Sequence, residues 1–238
     1  MGGDAPRVLH LVCAGAAKGV VEALQDAFRA ETGIAIEATF GAVGAMRERL
    51  DAGAACDVVV LTASMIQAMA ASGQVHAGTV AALGRVRTGV AVRDGDPLPD
   101  IRDANALRAT LSGASAVYIP DPERSTAGLH FVEIVRRLGI EDGVRRCWRA
   151  FPNGATAMRA LADSRVSGEI GCTQVTEIRY TRGVTLVGVL PAEFELATVY
   201  SAAVTREAQS AAAAKALVAW LGGPRSQALR TAGGFEHG

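Results

Sequence analysis

Residues 8–61 read VLHLVCAGAAKGVVEALQDAFRAETGIAIEATFGAVGAMRERLDAGAACDVVVL, and this stretch decides the fold class. Val8 to Val12 has almost no polar content, as expected of a strand buried on both faces of a parallel sheet. It ends at Cys13-Ala14-Gly15. Val20, Val21, Leu24, Ala27 and Phe28 then recur at helical spacing, and Gly33 follows the last of them as a stop signal. Ile34, Ile36, Ala38 and Phe40 alternate as a second strand. A small-residue turn, Gly41 to Gly44, leads into a helix carrying Met46 and Leu50. Asp57 to Leu61 is a third, nearly uniform apolar strand. The order β-α-β-α-β predicts a parallel sheet with right-handed crossovers.

Outward from there the alternation continues. A helix around Ile66 and Met69 follows, then a strand at Val86 to Val92 and a breaker-rich loop, Asp94-Gly95-Asp96-Pro97-Leu98-Pro99-Asp100. A second αβ series begins with a helix at Ala104 to Leu111, a strand at Ala116 to Ile119 and a helix from about Thr126 to Leu138. Strands at Trp148 to Phe151 and Glu169 to Thr173 flank a helix around Met158 and Leu161. Further strands are expected at Val184 to Val189 and Thr198 to Val204, then an alanine-rich helix from Ala208 to Leu221 and a short one around Ala228. If the last strand and helices join the first series, the chain crosses twice, near Val86 to Val92 and near Glu193 to Val199. The expected architecture is α/β with two lobes, residues 1–85 plus 197–238 and residues 86–196, hinged about a ligand cleft. A single doubly wound domain is the alternative that periodicity leaves open.

Composition narrows the function classes. The 238 residues carry 24 basic and 24 acidic side chains, and only 5% are aromatic. No basic run stands out, which argues against a nucleic-acid partner, and any anion site must be local. Cys13, Cys56, Cys147 and Cys172 lack zinc or redox spacing. They read as small buried hydrophobes, with disulfide pairing left open. No apolar run is long enough to span a bilayer. Met1 to Pro6 is short and polar, so the protein is expected to be periplasmic if a signal was removed and cytoplasmic otherwise. Nothing demands more than a monomer.

The chemistry is expected where strands feed helices. There, free N–H groups and the helix dipole bind anions without charged side chains. Gly15-Ala16-Ala17-Lys18-Gly19 and Gly41-Ala42-Val43-Gly44 have this character, as do Arg124-Ser125-Thr126-Ala127-Gly128 and Asn153-Gly154-Ala155-Thr156. No dinucleotide or phosphate-loop glycine pattern occurs, and no nucleophile elbow. His10, His76, His130 and His237 show no metal-ligand spacing, so neither a metal nor an organic cofactor is implied. Lys18, Arg124, Arg159 and His130 are the charged or titratable candidates near the junctions. Gln174 can offer both a donor and an acceptor.

The segments CAGAAKGVVEALQDAFRAETG, GAVGAMRERLDAGAACDVVVLTA, YIPDPERSTAG and GEIGCTQVTEI carry a resemblance, specific in their order and spacing. Over nearly its full length the chain resembles the molybdate-binding type of solute receptor of ABC transporters. That resemblance implies the type II periplasmic binding fold, two αβ lobes, two crossovers, a small anionic ligand and a membrane permease as partner. The expected site, set by the strand-to-helix junctions, comprises Gly15, Ala16, Ala17, Lys18, Val43, Gly44, Ser125, Thr126, Thr156 and Gln174. Oxyanion receptors of the family place hydroxyls in the first two loops, where this chain has Ala16 and Ala42-Val43-Gly44, and a tyrosine where it has Gln174. The site therefore reads as retuned toward a small carboxylate, with molybdate or tungstate second. DPERSTAG and GCTQVTEI are similar to a divergent branch that includes an aconitate isomerase. The alternative is thus an isomerase of an unsaturated polycarboxylate, with His130, Lys18 or Glu177 as candidate base. A cytoplasmic ligand sensor is a third reading, without an output domain.

Overall fold

The computed structural model describes residues 8–236, so Met1 to Pro6 and His237 lie outside the described residues. The chain divides into two compact units, residues 1–85 with 198–238 and residues 86–197. It passes from one to the other inside two strands, β4 (Ala81–Arg93) and β9 (Ala197–Val204).

Unit 1 begins with β1 (Val8–Ala14), α1 (Lys18–Thr32), β2 (Ala35–Gly41), α2 (Val43–Asp51), β3 (Val58–Thr62) and α3 (Ala63–Ala71). The strand order is β2-β1-β3-β9, parallel except for β9, which runs antiparallel to β3. Val58, Val59, Val60 and Leu61 are fully buried, which is why that run carries no alternation. α1 buries Val20, Val21, Leu24 and Phe28, the stripe expected from its spacing. Gly33 ends it in the left-handed region at φ 72°, donating its N–H to the Arg29 carbonyl, a conformation glycine adopts at no steric cost. α9 (Ala211–Gly222) and α10 (Pro224–Gly233) complete the unit, with the Trp220 ring edge-on to Phe28 at 5.3 Å. The alanine-rich helix starts three residues later than expected, because Ser210 and the turn before it lie outside the helix.

Unit 2 contains α4 (Ala104–Gly113), β5 (Ala116–Pro120), α5 (Thr126–Arg137), α6 (Glu141–Arg145), β6 (Trp148–Phe151), α7 (Gly154–Asp163), β7 (Glu169–Gln174), α8 (Val175–Tyr180) and β8 (Val184–Val189). Its strands run β8-β4-β7-β5-β6, with β7-β5-β6 parallel and β4 antiparallel to both neighbours. Every residue of β5 is buried. Val117 and Ile119 face a core with Leu107, Phe131 and Ile134, while Ala116 and Tyr118 face Met158, Leu161 and Ile178 on the other side. Helices therefore cover both faces, as a parallel centre requires. The five- and six-residue helices α6 and α8 were too short to show a period in the sequence.

All four cysteines are free, Cys13 and Cys172 buried and Cys56 and Cys147 only half-buried. Burial pushes the Cys172 and Cys56 thiols up to about 12, so neither is a ready nucleophile. Among the described residues no helix is long and apolar enough to cross a membrane.

Candidate functional site

In unit 1 the register sets Ala14 beside Gly41 and Cys13 beside both Phe40 and Val60. The carboxyl ends of β1, β2 and β3 thus share one edge of the sheet, where ligands of parallel α/β sheets collect. Gly15, Ala16 and Ala17 form a buried 3-10 turn there, continuing directly into α1. No side chain caps α1, whose N-cap is Ala17, or α2, whose N-cap is Ala42. Val43 and Gly44 are already helical, in the first turn of α2. Two neighbouring helices hence open on small residues whose first N–H groups receive no side-chain acceptor. Each end carries roughly half a positive charge from the aligned peptide dipoles. Lys18 stands half-exposed beside them, paired with Glu22 at 3.7 Å and lying over the Phe40 ring.

At the same edge Thr62 caps α3, its hydroxyl accepting from the Met65 N–H and lying 3.2 Å from the Ser64 hydroxyl. Sequence reading passed over this pair. Thr62-Ala63-Ser64 follows an apolar strand just as Gly15-Ala16-Ala17 does, so the signal was present.

Unit 2 treats its helix starts differently. Ser125 caps α5 through a bond from the Gly128 N–H, and Asp121 accepts from the N–H groups of Glu123 and Arg124. Asn153 caps α7, accepting from the Thr156 N–H and hydroxyl, each at 2.9 Å. The other α7 amides, Gly154 and Ala155, donate to the buried carboxyl of Glu177, as do the Gln174 N–H and, at 2.5 Å, the Thr173 hydroxyl. Burial dominates at Glu177 and raises its pKa above the ordinary carboxylate range, against the pull of those four donors. The carboxyl is packed so closely that a Cβ on Gly154 would lie 2.0 Å from its Oε2. An internal acid thus occupies the α7 terminus.

Beside it lies a set of polar atoms without hydrogen-bond partners. Gln174, the last residue of β7, is 3% exposed, and both its Nε2 and Oε1 are unpaired. Its direct cross-strand neighbour is Thr88 of β4, whose hydroxyl is likewise buried and unpaired, as is that of Thr176 in the first turn of α8. Directly opposed residues of an antiparallel pair project to the same face, so the Thr88 hydroxyl and the Gln174 amide share one environment. Each such group costs about 1–3 kcal/mol to bury unsatisfied.

The remaining candidates have local roles. His130 Nε2 bonds the Phe194 carbonyl at 2.7 Å. Arg124 lies 3.6 Å from Asp121, and Arg159 sits on the exposed face of α7. Thr126 is half-buried in the first turn of α5. A cavity of about 690 Å³ in unit 1, lined by His76, Thr79, Arg206 and Lys215 among others, lies elsewhere. The His76 N–H donates to Val204, the partner of Val58, which places it at the amino ends of the parallel strands. Among the described residues no group of three His, Cys, Asp or Glu side chains is placed to hold a metal.

Residues 9–236 match the model of a family described as bacterial extracellular solute-binding protein. The chain belongs to that family. Among solved members of this fold it is similar to the periplasmic molybdate-binding protein of Azotobacter vinelandii, with a TM-score of 0.77 and 19% identity, covering 97% of this chain and 99% of that one. It is also similar to a sulfate-binding protein of Mycobacterium tuberculosis H37Rv, with a TM-score of 0.72 and 19% identity, over 96% and 86% of the two chains. These likenesses establish the periplasmic binding fold of two αβ lobes. In sequence it is 29% identical over 222 residues to an aconitate isomerase of a Pseudomonas species, covering 90% of this chain and 81% of that protein.

Proposed function

We propose that this solute-binding protein takes a small carboxylate and delivers it, as a single exported chain, to an ABC permease. The observation that carries the reading is the pair of uncapped helices α1 and α2 at adjacent strand ends of unit 1. Their amides suit a negatively charged group. Further support comes from the shortage of other donors. Thr156 spends its hydroxyl on Asn153, and Lys18 is already paired. A tetrahedral oxyanion stripped of water needs a full shell of donors, whereas a carboxylate is served by fewer.

The deciding measurement is thermal stability in the presence of molybdate, tungstate, sulfate, phosphate, succinate, malate, citrate and cis- and trans-aconitate. A ligand at about 100 times its Kd adds about 2.7 kcal/mol of stability, readily seen in a melt. Carboxylates are expected to raise Tm and the inorganic oxyanions to leave it unchanged. Stabilisation by oxyanions alone would overturn the carboxylate assignment.

The likeness to an aconitate isomerase favours one further reading, proton transfer within an unsaturated tricarboxylate on the same scaffold. Incubation with trans-aconitate followed by chromatography tests it. Conversion at an enzyme-like rate would replace the receptor reading.

A further inference from the structure

The cavity of about 690 Å³ in unit 1 has two walls. One is the connection from His76 to Val80 that leads into β4, and it is tied along the end of β9. Val75 pairs with Thr205, and the Gln74 carbonyl accepts from the Arg206 N–H. The Thr79 hydroxyl accepts from the Val204 N–H and donates to the His76 carbonyl. These bonds fix the wall without any ligand. The other wall is α9, where Lys215, Val218 and Ala219 stand three and four residues apart and so share one face.

The lining is unbalanced in charge. His76, Arg206 and Lys215 face the cavity, and no acidic residue does. Lys215 finds no partner on its own helix, because the residues three and four positions away are Ala211, Ala212, Val218 and Ala219. Lys18 in α1 has Glu22 at that spacing. Among the described residues neither Arg206 nor Lys215 makes an ion pair. Beside the two cations lie aliphatic groups, Val218, Ala219 and Val80, the last 40% exposed. The volume is that of a small-molecule pocket.

We propose that this cavity is a second binding site, taking an anion with an aliphatic body. Arg206 and Lys215 hold the charged head, and Val80, Val218 and Ala219 take the chain. The His76 N–H bonds Val204, the partner of Val58 at the start of β3, whereas the amides of α1 and α2 lie at the carboxyl ends of the strands. The two sites are therefore separate, and this one does not depend on the carboxylate reading.

The test is calorimetric titration of the whole chain with octanoate, octanol and acetate. Octanoate carries both head and chain, and the others carry one each. Octanoate is expected to bind saturably, one per chain, and about tenfold tighter than either of the others. The double variant Arg206→Gln with Lys215→Gln should weaken octanoate about tenfold. Both positions are exposed, so its melting temperature should stay near the parent's. Ala219→Glu would give Lys215 the acid it lacks and should also weaken octanoate. Octanol binding as tightly as octanoate would remove the role of charge and overturn the proposal. Octanoate affinity unchanged in both variants would place it elsewhere, at the α1 and α2 amides for example, and would equally overturn it. Failure of succinate, malate and citrate to bind would strike the carboxylate reading alone.

Discussion

In unit 1 the helices that follow β1 and β2 open on alanine, with no side chain on their first amides. In unit 2 the helices that follow β5 and β6 open on Ser125 and Asn153, and Glu177 takes the α7 amides that Asn153 leaves. The same junction is therefore left available in one unit and closed internally in the other. The contrast shows that a helix start is open to an anion only where side chains of the same chain have not already taken its amides. In unit 2 the side chains of Gln174, at the end of β7, and Thr88 opposite it are among the buried groups left without partners.

The largest effect should come from crowding the closed junction. Gly154→Ala would set a Cβ 2.1 Å from the Thr173 hydroxyl as well as against Glu177, and both neighbours are buried and bonded to each other. A loss of about 3 kcal/mol is expected in denaturant melts. Gly41→Ala, at the matching strand end in unit 1, meets chiefly the Met46 methyl, which can swing aside, and should cost well under half as much. Equal losses would erase the contrast.

The buried acid should also leave a pH signature. Because its folded pKa is raised, the stability it contributes is whole below the ordinary carboxylate value near 4.5. That stability declines as pH climbs from there through the raised value, where the folded state binds more protons than the unfolded one. The slope reaches at most about 1.4 kcal/mol per pH unit. Glu177→Gln should remove this component from a series of melts between pH 4 and pH 8. An unchanged slope would show that Glu177 ionises normally.

Two cap exchanges refine the comparison on a smaller scale. Asn153→Ala removes the acceptor of the Thr156 N–H and hydroxyl and should cost about 1 kcal/mol, with carboxylate affinity unaltered. Ala42→Ser gives α2 the cap it lacks, stabilising the fold by about 0.5 kcal/mol while weakening carboxylate binding, because the new hydroxyl competes for the same amides. A cap at Ala42 that leaves affinity untouched would take α2 out of the site.

Much of this was legible in the residues. Uniform apolar runs announced the buried strands, the stripe from Val20 to Phe28 announced α1, and Gly33 marked its end. The junctions around Gly15 and Ala42 were found because small residues between a strand and a helix leave a local signature. Gln174 was readable from its place at the end of the strand Glu169 to Thr173 and from its paired donor and acceptor. Thr62 and Ser64 were equally readable and were missed. Thr88 was not readable, since one threonine among valines and alanines of a strand looks like any solvent-facing alternation.

The sequence by itself determined the strands, the longer helices and their order, because each depends on periodicity and capping within a few neighbouring residues. Only the tertiary structure decided that Thr88 stands opposite Gln174 and that Glu177 fills the α7 terminus. Both depend on strand register and on the approach of segments distant in the chain, where a shift of one residue would turn every side chain to the other face. Local patterns carry no record of that choice.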